Sequence, residues 1–75
     1  MQFKPGTKTV DFHPMSMMVT SRGVAFEIKP ETASQLRRAF KSPCGCWCIK
    51  ERDAQLVRYE TDGSVLMRAA ARPRS

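Results

Sequence analysis

The chain has 75 residues, with thirteen Lys and Arg against seven Asp and Glu, a formal charge of +6, 41% hydrophobic residues and 27% charged ones. A chain of that length has room for one small domain, which buries only about 60% of the surface its unfolded form exposes, and the composition argues against both a membrane-spanning and a disordered protein. The charge excess favours anionic partners without naming one.

Residues 1–8 are expected to be a flexible lead. Thr9, Val10, Asp11 and Phe12 alternate polar and apolar before His13 and Pro14, which suits a short edge strand that the proline ends. The run "MMVTSRGVAFEIK" then predicts a hairpin around Ser21, Arg22 and Gly23. An Arg22–Gly23 loop sets Val19 opposite Phe26 and Met17 opposite Ile28, so that Met17, Val19, Val24, Phe26 and Ile28 share a core face. Arginine suits a positive-φ loop position poorly, so a three-residue loop with Gly23 as a bulge is the alternative, and it slides the register.

"KPETASQLRRAFKS" carries the strongest helix signal. Pro30 suits a first-turn position, Glu31 sits near the positive end of a helix dipole, and Thr32 and Gln35 have capping-box spacing. Ala33, Leu36, Ala39 and Phe40 form a narrow apolar stripe toward a sheet, leaving Arg37, Arg38 and Lys41 as a basic ridge. Ser42 and Pro43 end the helix, because proline disfavours helical conformation in the residue before it.

"CWCIKERD" reads as a strand, and "QLVRYETDGSVLMRAAA" as a hairpin closed by a two-residue Asp62–Gly63 turn. That turn pairs Tyr59 with Leu66, Arg58 with Met67 and Leu56 with Ala69. One face then mixes Leu56, Val65, Met67 and Ala69 with Arg58 and Glu60, and the other mixes Val57, Tyr59 and Leu66 with Arg68. A sheet apolar on both faces requires cover on both, and one helix covers only one. A partner, a twin chain or the N-terminal arm must supply the rest. Residues 72–75, "RPRS" after the last alanine, are expected to fray.

The segment "SPCGCWCIK" places all three cysteines on alternate residues around the only tryptophan. Zinc bound by Cys44, Cys46, Cys48 and His13 requires thiolates roughly 4 Å apart, given Zn–S bonds of about 2.3 Å. An extended strand separates Cys44 from Cys48 by about 13 Å, so only a turn at Cys44 to Cys46 rescues a shared ion. Met15, Met17, Met18 and His13 add soft ligands of the kind Cu(I) prefers, although methionine is commonly an adaptable core filler. Redox chemistry through Cys44 and Cys46 is disfavoured by a preceding helix C-terminus, the wrong end for stabilising a thiolate. Cysteine is also among the most buried residue types, and the expectation adopted is a buried strand without metal or cofactor. An odd number of cysteines speaks against a disulfide framework.

No catalytic constellation stands out. His13 has no nucleophile placed beside it by the sequence, and Glu51, Asp53 and Glu60 alternate with Lys50, Arg52 and Arg58 as solvated cross-strand pairs. A non-enzyme is expected.

The resulting picture is a single small α+β domain, residues 1–75, in ββαβββ order, with one mostly antiparallel sheet of four to six strands and one helix across a face. Its expected function is that of a small binding or regulatory protein docking on a protein or nucleoprotein partner, of the kind a phage or mobile element encodes as an inhibitor, with a homodimer as one way to cover the second face. The alternative is nucleic-acid binding through Arg37, Arg38 and Lys41, with Arg52, Arg58 and Arg68 beside Trp47 and Tyr59 as a stacking surface. A Cys/His zinc protein is the second alternative. "MQFKPGTK" lacks the apolar core of a secretory signal, and the longest uncharged run falls far short of the roughly 20 residues of a membrane span. A cytoplasmic location follows as an expectation.

Overall fold

The structure is a computed structural model that describes residues 3–73. Among the described residues seven strands and one α-helical turn follow one another as β1 (Thr9–Phe12), β2 (Ser16–Thr20), β3 (Gly23–Glu27), α1 (Pro30–Ala33), β4 (Phe40–Lys41), β5 (Trp47–Lys50), β6 (Ala54–Tyr59) and β7 (Val65–Ala70). They form two antiparallel sheets, one of three strands in the order β1-β7-β6 and one of four in the order β2-β3-β5-β4. The single sheet and the ββαβββ order expected from the sequence are both corrected. The division occurs where "ERD" was read as the end of a strand: Glu51–Asp53 is a 3₁₀ turn that carries the chain from β5 into β6 of the other sheet. The Cα radius of gyration, 12.0 Å, is close to the ~11 Å of a compact chain this long. Among the described residues no helix is long and apolar enough to cross a membrane.

The helix is the largest correction. Pro30 does open α1 at its first turn, with Glu31 behind it, but α-helix ends at Ala33. Gln35 and Leu36 donate to Thr32 and Ala33, the tighter three-residue spacing. Beyond them the backbone bonds elsewhere: Arg37 N–H donates to Ala70, Arg72 N–H donates to Gln35, and Leu36 bridges Ala71. An isolated helix of some twelve residues is marginal in water, and pairing with the end of β7 satisfies these backbone groups while burying Leu36 to 1% exposure. Ala33 and Leu36 still reach the core and Ala39 packs against it. Phe40, the fourth stripe residue, joins β4 and pairs with Cys48 of β5. Arg37, Arg38 and Lys41 are exposed, but they form no helical ridge.

Both expected hairpin registers shift. In β2–β3, Thr20 pairs with Gly23, so Val19 faces Val24 and Met17 faces Phe26. The connection is Ser21–Arg22, and only Gly23 takes positive φ, at +113°. The move is two residues, so the five apolar residues keep one common face. Phe26 and Ile28 reach the core, whereas Met17 and Val19 remain 63% and 78% exposed because β2 is a sheet edge and β5 pairs only with Ala25 to Glu27.

In β6–β7 the turn has three residues, Thr61 to Gly63, because Glu60 N–H donates to Ser64 and Gly63 N–H to Glu60. A bulge between Leu56 and Arg58 shifts the register again. Together they sort the strand: Tyr59 faces Val65, Leu56 faces Met67 and Ala54 faces Ala69, while Arg58 faces Leu66 on the opposite side. The mixed faces expected from a two-residue turn are thereby replaced by one apolar face. From β1, Val10 and Phe12 add to it across from Ala69 and Met67.

The core lies between the sheets. Phe12, Ala54, Met67 and Ala69 from one sheet meet Ile49 from the other, with Ile28, Ala33 and Leu36 in the same cluster. At the chain ends, the described parts make backbone bonds from Thr7 to Lys4, from Ala71 to Lys8 and from Arg72 to Gln35. Residues 1–2 and 74–75, included in the expected flexible ends, lie outside the described residues.

Candidate functional site

The four-stranded sheet turns Trp47 and Ile49 toward the core, so its other face carries the alternate residues, Ala25, Cys48 and Lys50 along with Phe40 and Met18. An open groove of about 890 Å³ runs over that face. Met18, Ala25 and Phe40 supply its apolar surface. Arg22, Arg38, Lys50 and Arg52 supply four cations, against the single carboxylate of Asp53, while Lys41, also in the lining, pairs with Trp47 and turns its ammonium to that ring on the other face. None of the four is salt-bridged to a carboxylate of the described residues, where the ion pairs are Arg58–Glu60 and Arg68–Asp11. A concave surface lined by one sign of charge concentrates oppositely charged ligands.

The residues expected to bind a partner are therefore divided. Arg38 and Arg52 share the groove, and Lys41 lines its edge with the ammonium turned to Trp47. Arg37 is exposed outside its lining. Arg58 and Arg68 stand on the other sheet, Arg58 holding Glu60 at 2.9 Å and Arg68 holding both carboxylate oxygens of Asp11 at 2.7 and 3.1 Å. That guanidinium holds the Asp11 carboxyl below its ordinary value, and the carboxylate raises Arg68 in return. Trp47 is half-buried against the core, with Lys41 Nζ 5.7 Å from its ring centroid, a cation–π arrangement. Tyr59 is 76% exposed beside a small apolar recess that Phe26, Leu56 and Met67 also line. Arg22, Lys50 and the apolar floor were missed. The alternation of β2 and β3 holds part of the signal, but only the pairing of β3 with β5 brings Arg22 and Lys50 into one groove.

The groove wall ends in the cysteine turn. Ser42 N–H donates to Cys46 at 2.7 Å and Gly45 N–H donates to Ser42 at 2.9 Å, the same pattern that closes the Thr61–Gly63 turn. Gly45 has φ +94° and Gly63 has φ +90°, values that favour glycine. The turn buries Ser42, whose Oγ accepts the Cys46 N–H at 3.1 Å and lies 2.9 Å from Cys44 Sγ. Cys44 Sγ and Cys46 Sγ are 3.6 Å apart. The Ser42 hydroxyl, the Cys46 N–H and the Cys46 thiol hold the Cys44 thiol below its ordinary pKa, and the neighbouring Cys44 pushes Cys46 up. Cys48 is fully buried on β5, its thiol raised mainly by that burial, and it lies 3.7 Å from the Cys46 carbonyl.

All three cysteines are free. His13 stands after β1, where Nδ1 lies 2.9 Å from the Val65 carbonyl and, protonated, donates to it. Among the described residues no three His, Cys, Asp or Glu side chains are grouped so as to hold a metal ion. The set of His13, Cys44, Cys46 and Cys48 is not assembled. Compared with protein-family models, curated proteins and solved structures, the chain matches nothing.

Proposed function

We propose that this is a non-catalytic binding protein that docks on single-stranded nucleic acid, bare or within a nucleoprotein, through the basic groove. The observation that carries the reading is the juxtaposition of Arg22, Arg38, Lys50 and Arg52 around an apolar floor with Phe40. A single strand presents phosphates to such a rim and flat apolar base faces to such a floor, and neither interaction requires a particular sequence. The reading gives no role to Arg58 and Arg68, whose charges are already paired.

The test is anisotropy of a fluorescent single-stranded oligonucleotide at low salt. Combined Arg38→Ala, Lys50→Ala and Arg52→Ala substitutions weaken binding more than tenfold, at about 1 kcal/mol or more for each lost phosphate contact. Combined Arg58→Ala and Arg68→Ala leave it within a few-fold. Equal effects of the two sets would contradict the groove as the site.

A second reading, docking on a protein or on a twin chain, has its own observation. Met15, just before β2, and Met17 and Val19 on its edge are 58%, 63% and 78% exposed, and Met17 lies beside Phe26, which lines the recess near Tyr59. Light scattering across a range of protein concentration tests the twin: a constant monomer mass removes it.

A further inference from the structure

We propose that Cys44 and Cys46 form a thiol–disulfide exchange site for small anionic disulfides, with Cys44 attacking and Cys46 resolving. The reason for doubting redox chemistry here was a helix C-terminus next to Cys44, and no helix is present: the segment before it is β4, and Cys44 sits at the tip of a hairpin turn. The turn brings the sulfurs to 3.6 Å, so closing a bond of about 2.05 Å needs a small adjustment around Gly45. Cys44 is exposed and lies in the wall of the basic groove, whereas Cys46 is half-buried behind it. The Ser42 hydroxyl receives the Cys46 N–H, which leaves its own proton free to be donated to the Cys44 sulfur. Cys48 is fully buried and serves as an internal control.

The chemistry balances. The Cys44 thiolate attacks RS–SR, the RS–SR bond breaks, Cys44–SR forms, and RS⁻ leaves to take up the proton that Cys44 gave up. The Cys46 thiolate then attacks Cys44 Sγ, the Cys44–SR bond breaks, and the second RS⁻ takes up the Cys46 proton. Two electrons pass from the dithiol to the disulfide, which leaves as two RSH. A disulfide between residues two apart is strained, and strained, exposed disulfides are readily reduced by thiols. The step is therefore reversible. The groove cations favour an anionic RSSR such as glutathione disulfide over a cationic one such as cystamine. This preference shares the groove with the nucleic-acid reading, but the exchange itself rests on the turn alone.

The experiment adds glutathione disulfide to the reduced full-length protein and follows intact mass and peptide maps. Wild type is expected to end with a Cys44–Cys46 disulfide and Cys48 still a thiol, which needs no variant. Cys46→Ser is expected to accumulate glutathione on Cys44, and Cys44→Ser to react at least about tenfold more slowly than wild type. Glutathione disulfide should outpace cystamine on Cys46→Ser by about tenfold at low salt, with the gap closing at high salt. A stable Cys44–glutathione adduct in wild type, or equal reaction at Cys48, would overturn the exchange site. Faster reaction with cystamine would overturn the anionic preference. Groove variants that lose oligonucleotide binding are expected to lose the anionic preference with it and still to form the Cys44–Cys46 disulfide, so the exchange site and the nucleic-acid reading fail separately.

Discussion

Ser42 Oγ lies between the two halves of the cysteine turn, accepting the Cys46 N–H at 3.1 Å while standing 2.9 Å from Cys44 Sγ. Replacing Ser42 with alanine leaves the Cys46 amide without that acceptor and removes the hydroxyl from Cys44. A stability loss of about 1 kcal/mol is expected, read from urea denaturation. In the same variant the pH midpoint for alkylation of Cys44 moves up, because the largest influence holding that thiol down is gone. An unchanged midpoint would contradict the role given to Ser42.

Leu36 tests the replacement of helix by tertiary pairing. It is 1% exposed in the core cluster although it lies outside α1. Leu36→Ala is expected to cost about 2–5 kcal/mol, and Arg37→Ala, one residue on and exposed, less than about 0.5 kcal/mol. Similar costs at both positions would contradict the placement of Leu36 between the sheets.

The two matched turns make a paired prediction. An added Cβ at Gly45 or Gly63 meets nothing within 4 Å, so the cost of Gly→Ala is conformational. At φ +94° and +90° it is expected to be about 1–2 kcal/mol in each case, with Gly→Asn costing less. Thermal denaturation of the four variants measures it, and stabilisation by either alanine would contradict the turn conformation.

Acid sensitivity follows from Asp11 and Asp62. The Arg68 guanidinium lowers Asp11, and the Ser64 hydroxyl and N–H lower Asp62. A carboxyl depressed in the folded state contributes stability that is fully present above its unfolded pKa, about 3.9, and is lost as pH falls through the lower folded value. Stability is therefore expected to decline below about pH 4, more shallowly in Asp11→Asn with Asp62→Asn than in wild type. Equal slopes in denaturant titrations at pH 3 and pH 5 would contradict it.

Several of these features were readable from residue order, and the others depended on distant pairing. Thr9 to Phe12, the strand character of Trp47 to Ile49 and the alternation of Cys48 against Trp47 and Ile49 rest on local period, and the structure has them. Local period also favoured a helix through Phe40, since Ala33, Leu36 and Ala39 fit a stripe equally well whether the chain coils or bends to meet β7. What decided it was the bonding of Arg37 with Ala70 and of Arg72 with Gln35, across more than thirty residues of sequence. The Asp62–Gly63 pair signalled a turn correctly, but glycine serves equally as the third residue of a longer one, and the bulge after Leu56 has no local mark. The groove was half-visible. Arg38, Lys41 and Arg52 stood out as charges, whereas Arg22 and Lys50 became neighbours of them only once β3 paired with β5.

Salt dependence of oligonucleotide binding tests the basic groove most directly. Each phosphate neutralised on a single strand contributes about −0.7 to the slope of log K against log salt concentration, so engagement of the four groove cations predicts a slope of about −3. Removing Arg38, Lys50 and Arg52 together should bring it to about −1. A wild-type slope near zero, or one that these substitutions leave unchanged, would contradict nucleic-acid docking in the groove.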